Sequence, residues 1–171
     1  MIYPKYYFKD VTKISVEFLE EHNIKGLILD VDNTLIDINR NVLKGVKEWH
    51  DEIRKAGIKT IILSNTNKID KVKGMAELLE IEYISFAHKP MKKGFFKAQK
   101  KLGLDSQNIA SIGDQIFTDV IGANRCNMIS ILVEPVDKTK DLLITRWKRP
   151  LENVIKKRYL KDTNNFRKLE D

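Results

Sequence analysis

Apolar and polar positions along this 171-residue chain repeat with two different periods. Short runs of nearly continuous apolarity at residues 27–31, 60–63, 83–86, 109–112 and 129–133 read as buried strands. Runs of that length without polar alternation suit a parallel sheet covered on both faces. Between them the apolar spacing becomes helical, over residues 43–56, 69–79, 94–102 and 118–125. Strand followed by helix predicts an α/β fold: a doubly wound three-layer sandwich around a mostly parallel five-stranded sheet, with right-handed crossovers. Gly57 and Gly103 stand where helix C-terminal caps are expected, and Gly45 reads as an early position in the first of these helices.

Outside this middle region the pattern weakens. Residues 15–22 read as a short helix whose apolar face is only Val16 and Leu19. The aromatic cluster Tyr3, Tyr6, Tyr7 and Phe8 is expected to cover a sheet edge; contact with a lipid interface, helped by Lys5 and Lys9, is the alternative. Beyond Pro135, residues 142–147 read as one more strand or helix and residues 151–159 as a basic helix. The length suits one domain, expected over residues 1–160, with a polar and frayed tail over 161–171.

Composition narrows the classes. A hydrophobic fraction of 42% with 32% charged residues is ordinary for a soluble globular chain. No stretch approaches the roughly 20 apolar residues of a membrane span. Met1-Ile2-Tyr3-Pro4-Lys5 lacks the apolar block of a secretory signal, so a cytoplasmic location, peripheral to a membrane at most, is the expectation. Cys126 is the only cysteine, which excludes an internal disulfide, and it reads as core filler. His88, beside Lys89, reads as a loop residue. The net charge of +7 is uneven: residues 137–171 carry 11 Lys or Arg against 6 Asp or Glu. Such a surface suits an anionic membrane, nucleic acid or an acidic protein, or is simply solvated.

The candidate chemistry lies where the apolar runs end. Asp30-Val31-Asp32-Asn33-Thr34 follows the first run, Ser64-Asn65 the second, Lys89-Pro90 the third, and Gly113-Asp114 with Thr118-Asp119 the fourth. Ligands of open α/β sheets bind beyond the carboxyl ends of strands, so these clusters converge on one crevice. Alternation along an extended chain points Asp30 and Asp32 the same way, so Asp30 can attack a phosphorus while Asp32 handles the proton. Asp30, Asp114 and the backbone carbonyl of Asp32 suit a hard cation, best Mg²⁺. Asn33, Ser64, Asn65 and Lys89 are the candidates for holding phosphoryl oxygens. Thr34 is expected to brace the loop, and Asp119 to orient Lys89 or a metal-bound water. Each residue also has a structural alternative: Ser64 as a helix cap, Lys89 as a surface lysine before a turn proline, Asp119 as a first-turn helix charge.

The ordered set Asp30-x-Asp32-x-Thr34, Ser64, Lys89 and Gly113-Asp114-x-x-x-x-Asp119 resembles the haloacid dehalogenase (HAD) superfamily of aspartate-nucleophile phosphatases. The resemblance implies a Rossmann-like sheet, Mg²⁺ dependence, Asp30 as nucleophile, Asp32 as acid/base, Ser64 and Lys89 on the phosphoryl group, and Asp114 as metal ligand. More closely, Asp32-Asn33-Thr34-Leu35, Ala87-His88-Lys89-Pro90, Gly113-Asp114-Gln115-x-x-Thr118-Asp119 and Thr145-Arg146-x-x-Arg149-x-x-Glu152 are similar to the YqeG-type subfamily IIIA, over roughly residues 3 to 152. Thr66 and Asp70 depart from it, standing where that subfamily often has Asn and a basic residue.

That subfamily includes phosphatidylglycerophosphate phosphatases. HAD phosphatases selective for small metabolites usually carry an inserted cap domain, for which residues 35–40 and 66–88 leave no room. An uncapped crevice suits a phosphate on something large, and the resemblance implies a phospholipid head group. The amphipathic Trp147-Lys148-Arg149 segment is a candidate lipid contact, with pairing of Arg149 to Glu152 as the structural alternative. Phosphatase action on a protein or nucleic-acid phosphate, and a non-catalytic binding partner with this fold, are the competing classes.

Overall fold

The computed structural model describes residues 2–137 and 149–162. Six strands, β1 (Tyr6–Phe8), β2 (Gly26–Leu29), β3 (Lys59–Leu63), β4 (Glu82–Ile84), β5 (Ile109–Gly113) and β6 (Ile129–Val133), form one sheet in the order β1-β6-β5-β2-β3-β4. Every pairing is parallel. From β2 the chain builds outward through β3 to β4, then crosses to β5 on the other side of β2 and continues outward to β6. The order therefore reverses between β2 and β5, and the carboxyl ends of these two strands flank the switch-point crevice.

The sheet is fully parallel and has six strands rather than five. The added strand is β1, inside the aromatic cluster expected to cover an edge: Tyr6 pairs with Ile131 and Phe8 with Val133, so the cluster is itself the edge. Three residues rich in rings and carrying no continuous aliphatic run give little period signal, which is why the pairing is visible only in the fold.

Helices cover both faces. Helices α1 (Val16–Glu21), α2 (Val46–Lys55) and α3 (Ile69–Leu79) lie on one side and bury Phe18, Trp49, Ile53, Val72 and Met75 against Leu27, Leu29 and Ile62. Helices α4 (Lys92–Leu102) and α5 (Ile121–Arg125) lie on the other, with Phe95, Ala98 and Ala123 against Ile28, Ile61 and Leu63. The alternation of Leu27, Ile28 and Leu29 between two cores is what made their run continuously apolar. Fully burying one such aliphatic side chain contributes about 1.5–3 kcal/mol.

Local chemistry sets the helix ends. Ser15 caps α1, its Oγ accepting from the Phe18 amide at 3.1 Å. Gly103 ends α4 in the left-handed region at φ 66, as its position after the apolar spacing predicts. Gly45, expected inside the first long helix, is instead the N-cap of α2 at φ 86. The helix expected from residue 118 is divided: Ile116–Val120 forms a π-turn and α5 follows.

Helix α6 (Arg149–Asp162) coincides with the expected basic helix. Its Ile155 packs on Ile116, Val120 and Leu132, and its buried Glu152 accepts from the Phe117 amide at 3.2 Å. Helix α6 thus steadies the π-turn beside the crevice. Residues 142–147, Trp147-Lys148 and the tail beyond 162 lie outside the described residues.

Candidate active site

Strand β2 ends at Leu29, and Asp30 is the next residue, its amide still bonded to the Ile112 carbonyl of β5 at 3.0 Å. The chain then turns sharply: Val31 O accepts from the amides of Thr34, Leu35 and Ile36. A compact hairpin-like loop follows, with Leu43 N donating to Leu35 O at 2.9 Å. The two carboxylates take different partners. Asp30 is buried and meets Lys89 Nζ at 2.7 Å, whereas Asp32 is partly open and pairs with Lys71 of α3.

Lys89 is the hub. It is 7% exposed, and its ammonium lies 2.7 Å from Asp119 Oδ1 as well as from Asp30 Oδ1. Burial opposes its charge, but Asp119 and Asp30 outweigh that cost and raise its pKa. The same burial pushes Asp30 well above the usual carboxylate range; Lys89 pulls it down, and Asp119 and Asp114 push it up again.

Asp30, Asp114 and Asp119, all buried, each offer a carboxylate oxygen within 4.8 Å of the others. Asp30 and Asp119 share the Lys89 ammonium, and Asp114 lies beside them at the sheet's switch point. The donors are all hard oxygens, so the residues suit a hard divalent cation.

Close approach holds Asp119 in place. A Cβ on Gly113 would stand 2.2 Å from the Asp119 Cγ, so only glycine fits there. Asp119 Oδ2 also accepts from the Gln115 amide at 3.2 Å and from Thr118 Oγ1 at 3.3 Å. Ser64, at the β3 end, is 1% exposed, and its Oγ accepts from the Thr66 amide at 3.2 Å.

The remaining sequence candidates also make contacts within the fold. Asn65 exchanges two hydrogen bonds with the Lys89 peptide unit, at 2.6 and 3.0 Å. Asn33, at φ 56, holds the loop after β6 through Val136 N to its carbonyl and Asp137 N to its Oδ1. Thr34, within the turn, is 1% exposed. His88 is exposed, and Cys126 lies in the core with its thiol pKa raised by burial. Sequence reading missed Lys71: it follows the expected start of a helix at residue 69, and nothing local signals that it reaches the loop after β2.

The chain is similar to known phosphatases. Residues 1–137 match the family of mitochondrial PGP phosphatases. The probable phosphatase YqeG of Bacillus subtilis (strain 168) is 41% identical over 153 residues, covering 89% of this chain and 88% of that protein. Phosphatidylglycerophosphate phosphatase 1, chloroplastic/mitochondrial, of Arabidopsis thaliana is 29% identical over 169 residues, covering 94% of this chain and 49% of that protein. The chain thus spans about half the length of the plant relative. Among solved structures, an uncharacterized protein from Listeria monocytogenes serotype 4b shares the fold with a TM-score of 0.56 at 22% identity, over 70% of this chain and 86% of that one.

Proposed function

Since this chain belongs to the family of mitochondrial PGP phosphatases and is a phosphatase of the HAD superfamily, we propose that it releases phosphate from phosphatidylglycerophosphate by way of an aspartyl-phosphate. The observation that carries this reading is the Lys89 ammonium shared at 2.7 Å by Asp30 and Asp119, with Asp114 beside them at the switch point.

In this reading the Asp30 carboxylate attacks the phosphorus and the ester P–O bond breaks. Asp32 gives its proton to the departing glycerol oxygen. Asp32, now a carboxylate, takes a proton from the water that attacks the aspartyl-phosphate; Asp30 leaves, and inorganic phosphate is the product. Lys89 and the Ser64 hydroxyl bind phosphoryl oxygens, where their charge and dipole count most as negative charge builds. Lys71 keeps the Asp32 carboxyl at the crevice mouth, and Asn65 fixes the backbone that delivers Lys89.

Asp30 and Asp114, with Asp119 beside them and the Asp32 carbonyl as a further oxygen, are the residues that would hold Mg²⁺. When bound, the ion supplies neutralising charge to the nucleophile and the phosphoryl group.

The lipid substrate is supported by the plant relative and by the short segments that follow β2 and β3. Among the described residues the loop over 31–45 is short, and the segment between Ser64 and Lys89 is taken up by α3 and β4, so no inserted domain covers the site. The test is Mg²⁺-dependent phosphate release from phosphatidylglycerophosphate in mixed micelles, beside phosphopeptides and 5′-phosphorylated oligonucleotides, with Asp30→Asn as the inactive control. Turnover of the lipid above the other two supports the reading. Robust release from either of the others without lipid turnover overturns it.

A further inference from the structure

The sheet edge that carries the site also carries exposed apolar side chains. Phe86 is 50% exposed, Met91 59% and Ile69 45%, and Phe96 on the second turn of α4 is 47% exposed. Phe86 and Met91 bracket Lys89 in one loop, and Ile69 opens α3; loops and helix starts that follow parallel strands all lie at the carboxyl edge. Phe86 is held at φ 51, a backbone conformation that disfavours a bulky side chain, between Ser64–Ile84 and Ala87–Ser64 backbone bonds. Its backbone is therefore held by the loop that builds the site, with the ring exposed.

Charge accompanies these side chains. Helix α4 reads Lys-Lys-Gly-Phe-Phe-Lys-Ala-Gln-Lys-Lys-Leu, five lysines with no acidic residue. Lys93, Phe96, Lys97 and Lys100 follow helical spacing and share the outer face, all exposed. Exposed Lys68, the N-cap of α3, lies at the same carboxyl edge on the other side of the sheet. Nearby, Arg40 and Asp70 offset each other at 2.8 Å.

We propose that this rim seats on an anionic lipid surface: Phe86, Met91 and Phe96 enter the head-group layer while Lys68, Lys93 and Lys97 face its phosphates. The inference rests on the lipid-substrate reading above and adds how that substrate reaches Lys89 without leaving the bilayer. Aliphatic and aromatic side chains interleaved with ammonium groups match an interface with an apolar layer beneath a negative one. A nucleic acid would offer Met91 and Ile69 nothing to enter.

The full chain is sedimented with phosphatidylcholine vesicles with and without phosphatidylglycerol, and phosphate release is followed from p-nitrophenyl phosphate and from phosphatidylglycerophosphate in vesicles and in micelles. The native protein is expected to favour the anionic vesicles by at least about tenfold. Lys93→Glu with Lys97→Glu, and separately Met91→Ser with Phe96→Ser, should lower vesicle binding and vesicle turnover by about tenfold or more. Both pairs should keep the soluble-ester rate. Phe86→Asn, which tolerates the same backbone angle, should act in the same direction. Vesicle binding unchanged in all three variants, or absent in the native protein, overturns the surface even if micellar lipid is hydrolysed. Loss of vesicle binding in the variants without any micellar turnover upholds the surface and removes only the choice of lipid.

Discussion

The amide of Lys89 donates to Asn65 Oδ1 at 2.6 Å, and Asn65 Nδ2 donates back to the Lys89 carbonyl at 3.0 Å. One side chain at the end of β3 thus grips the peptide unit whose ammonium serves Asp30 and Asp119. Asn65→Ala removes both bonds. It should destabilise the protein by about 1–2 kcal/mol in a denaturant titration. Because the ammonium loses its registration, activity should fall by about tenfold to a hundredfold.

The pair between Lys71 and Asp32 ties α3 to the loop after β2. Lys71→Met should reduce the turnover number by about tenfold, equivalent to ~1.4 kcal/mol of transition-state stabilisation. Lys71→Arg should keep most of the activity. Steady-state kinetics on a soluble ester reads this directly; full activity in Lys71→Met would remove Lys71 from any part in positioning Asp32.

Gly113→Ala would put a methyl group 2.2 Å from the Asp119 Cγ. The carboxylate must move, and Lys89 loses one of its two buried partners. Activity is expected to fall by about a hundredfold or more, with a stability loss of about 1–3 kcal/mol from overpacking. A melting curve together with the rate separates the two effects.

Burial first, then the neighbouring Asp119 and Asp114 charges, raise the pKa of Asp30 against the pull of Lys89. A raised carboxyl holds more protons folded than unfolded, so its contribution to stability is present below the ordinary carboxylate value of about 4 and is lost as pH rises through the native value. In chelator, Asp30→Asn should therefore melt higher than the native protein at neutral pH, and the difference should shrink toward acid. Added Mg²⁺ should raise the melting temperature of the native protein and have less effect on Asp30→Asn or Asp114→Asn.

Much of this was legible in the residues. Leu27, Ile28 and Leu29 signal a strand buried on both faces because each faces a core, and the polar clusters after Leu29, Leu63 and Gly113 mark the edge where ligands bind. The convergence of Asp30, Lys89, Asp114 and Asp119 follows from strand ends being neighbours in a parallel sheet. The sheet order does not follow from local pattern, since Tyr6–Ile131 and Leu27–Ala110 pairings join segments far apart in the chain. Lys71 was hidden for the same reason. The tasks of Asn33 and Asn65 as loop ties depend on backbone groups of other loops, which no motif records.

The account stands or falls on Asp30 forming a covalent bond to phosphorus. The native enzyme should be mixed briefly with Mg²⁺ and a phosphomonoester, quenched in acid, digested and analysed by mass spectrometry. A phosphoryl increment on the peptide containing Asp30, absent from the Asp30→Asn protein, is the result predicted here. Phosphate release with no modified peptide, or undiminished turnover by Asp30→Asn, would contradict it.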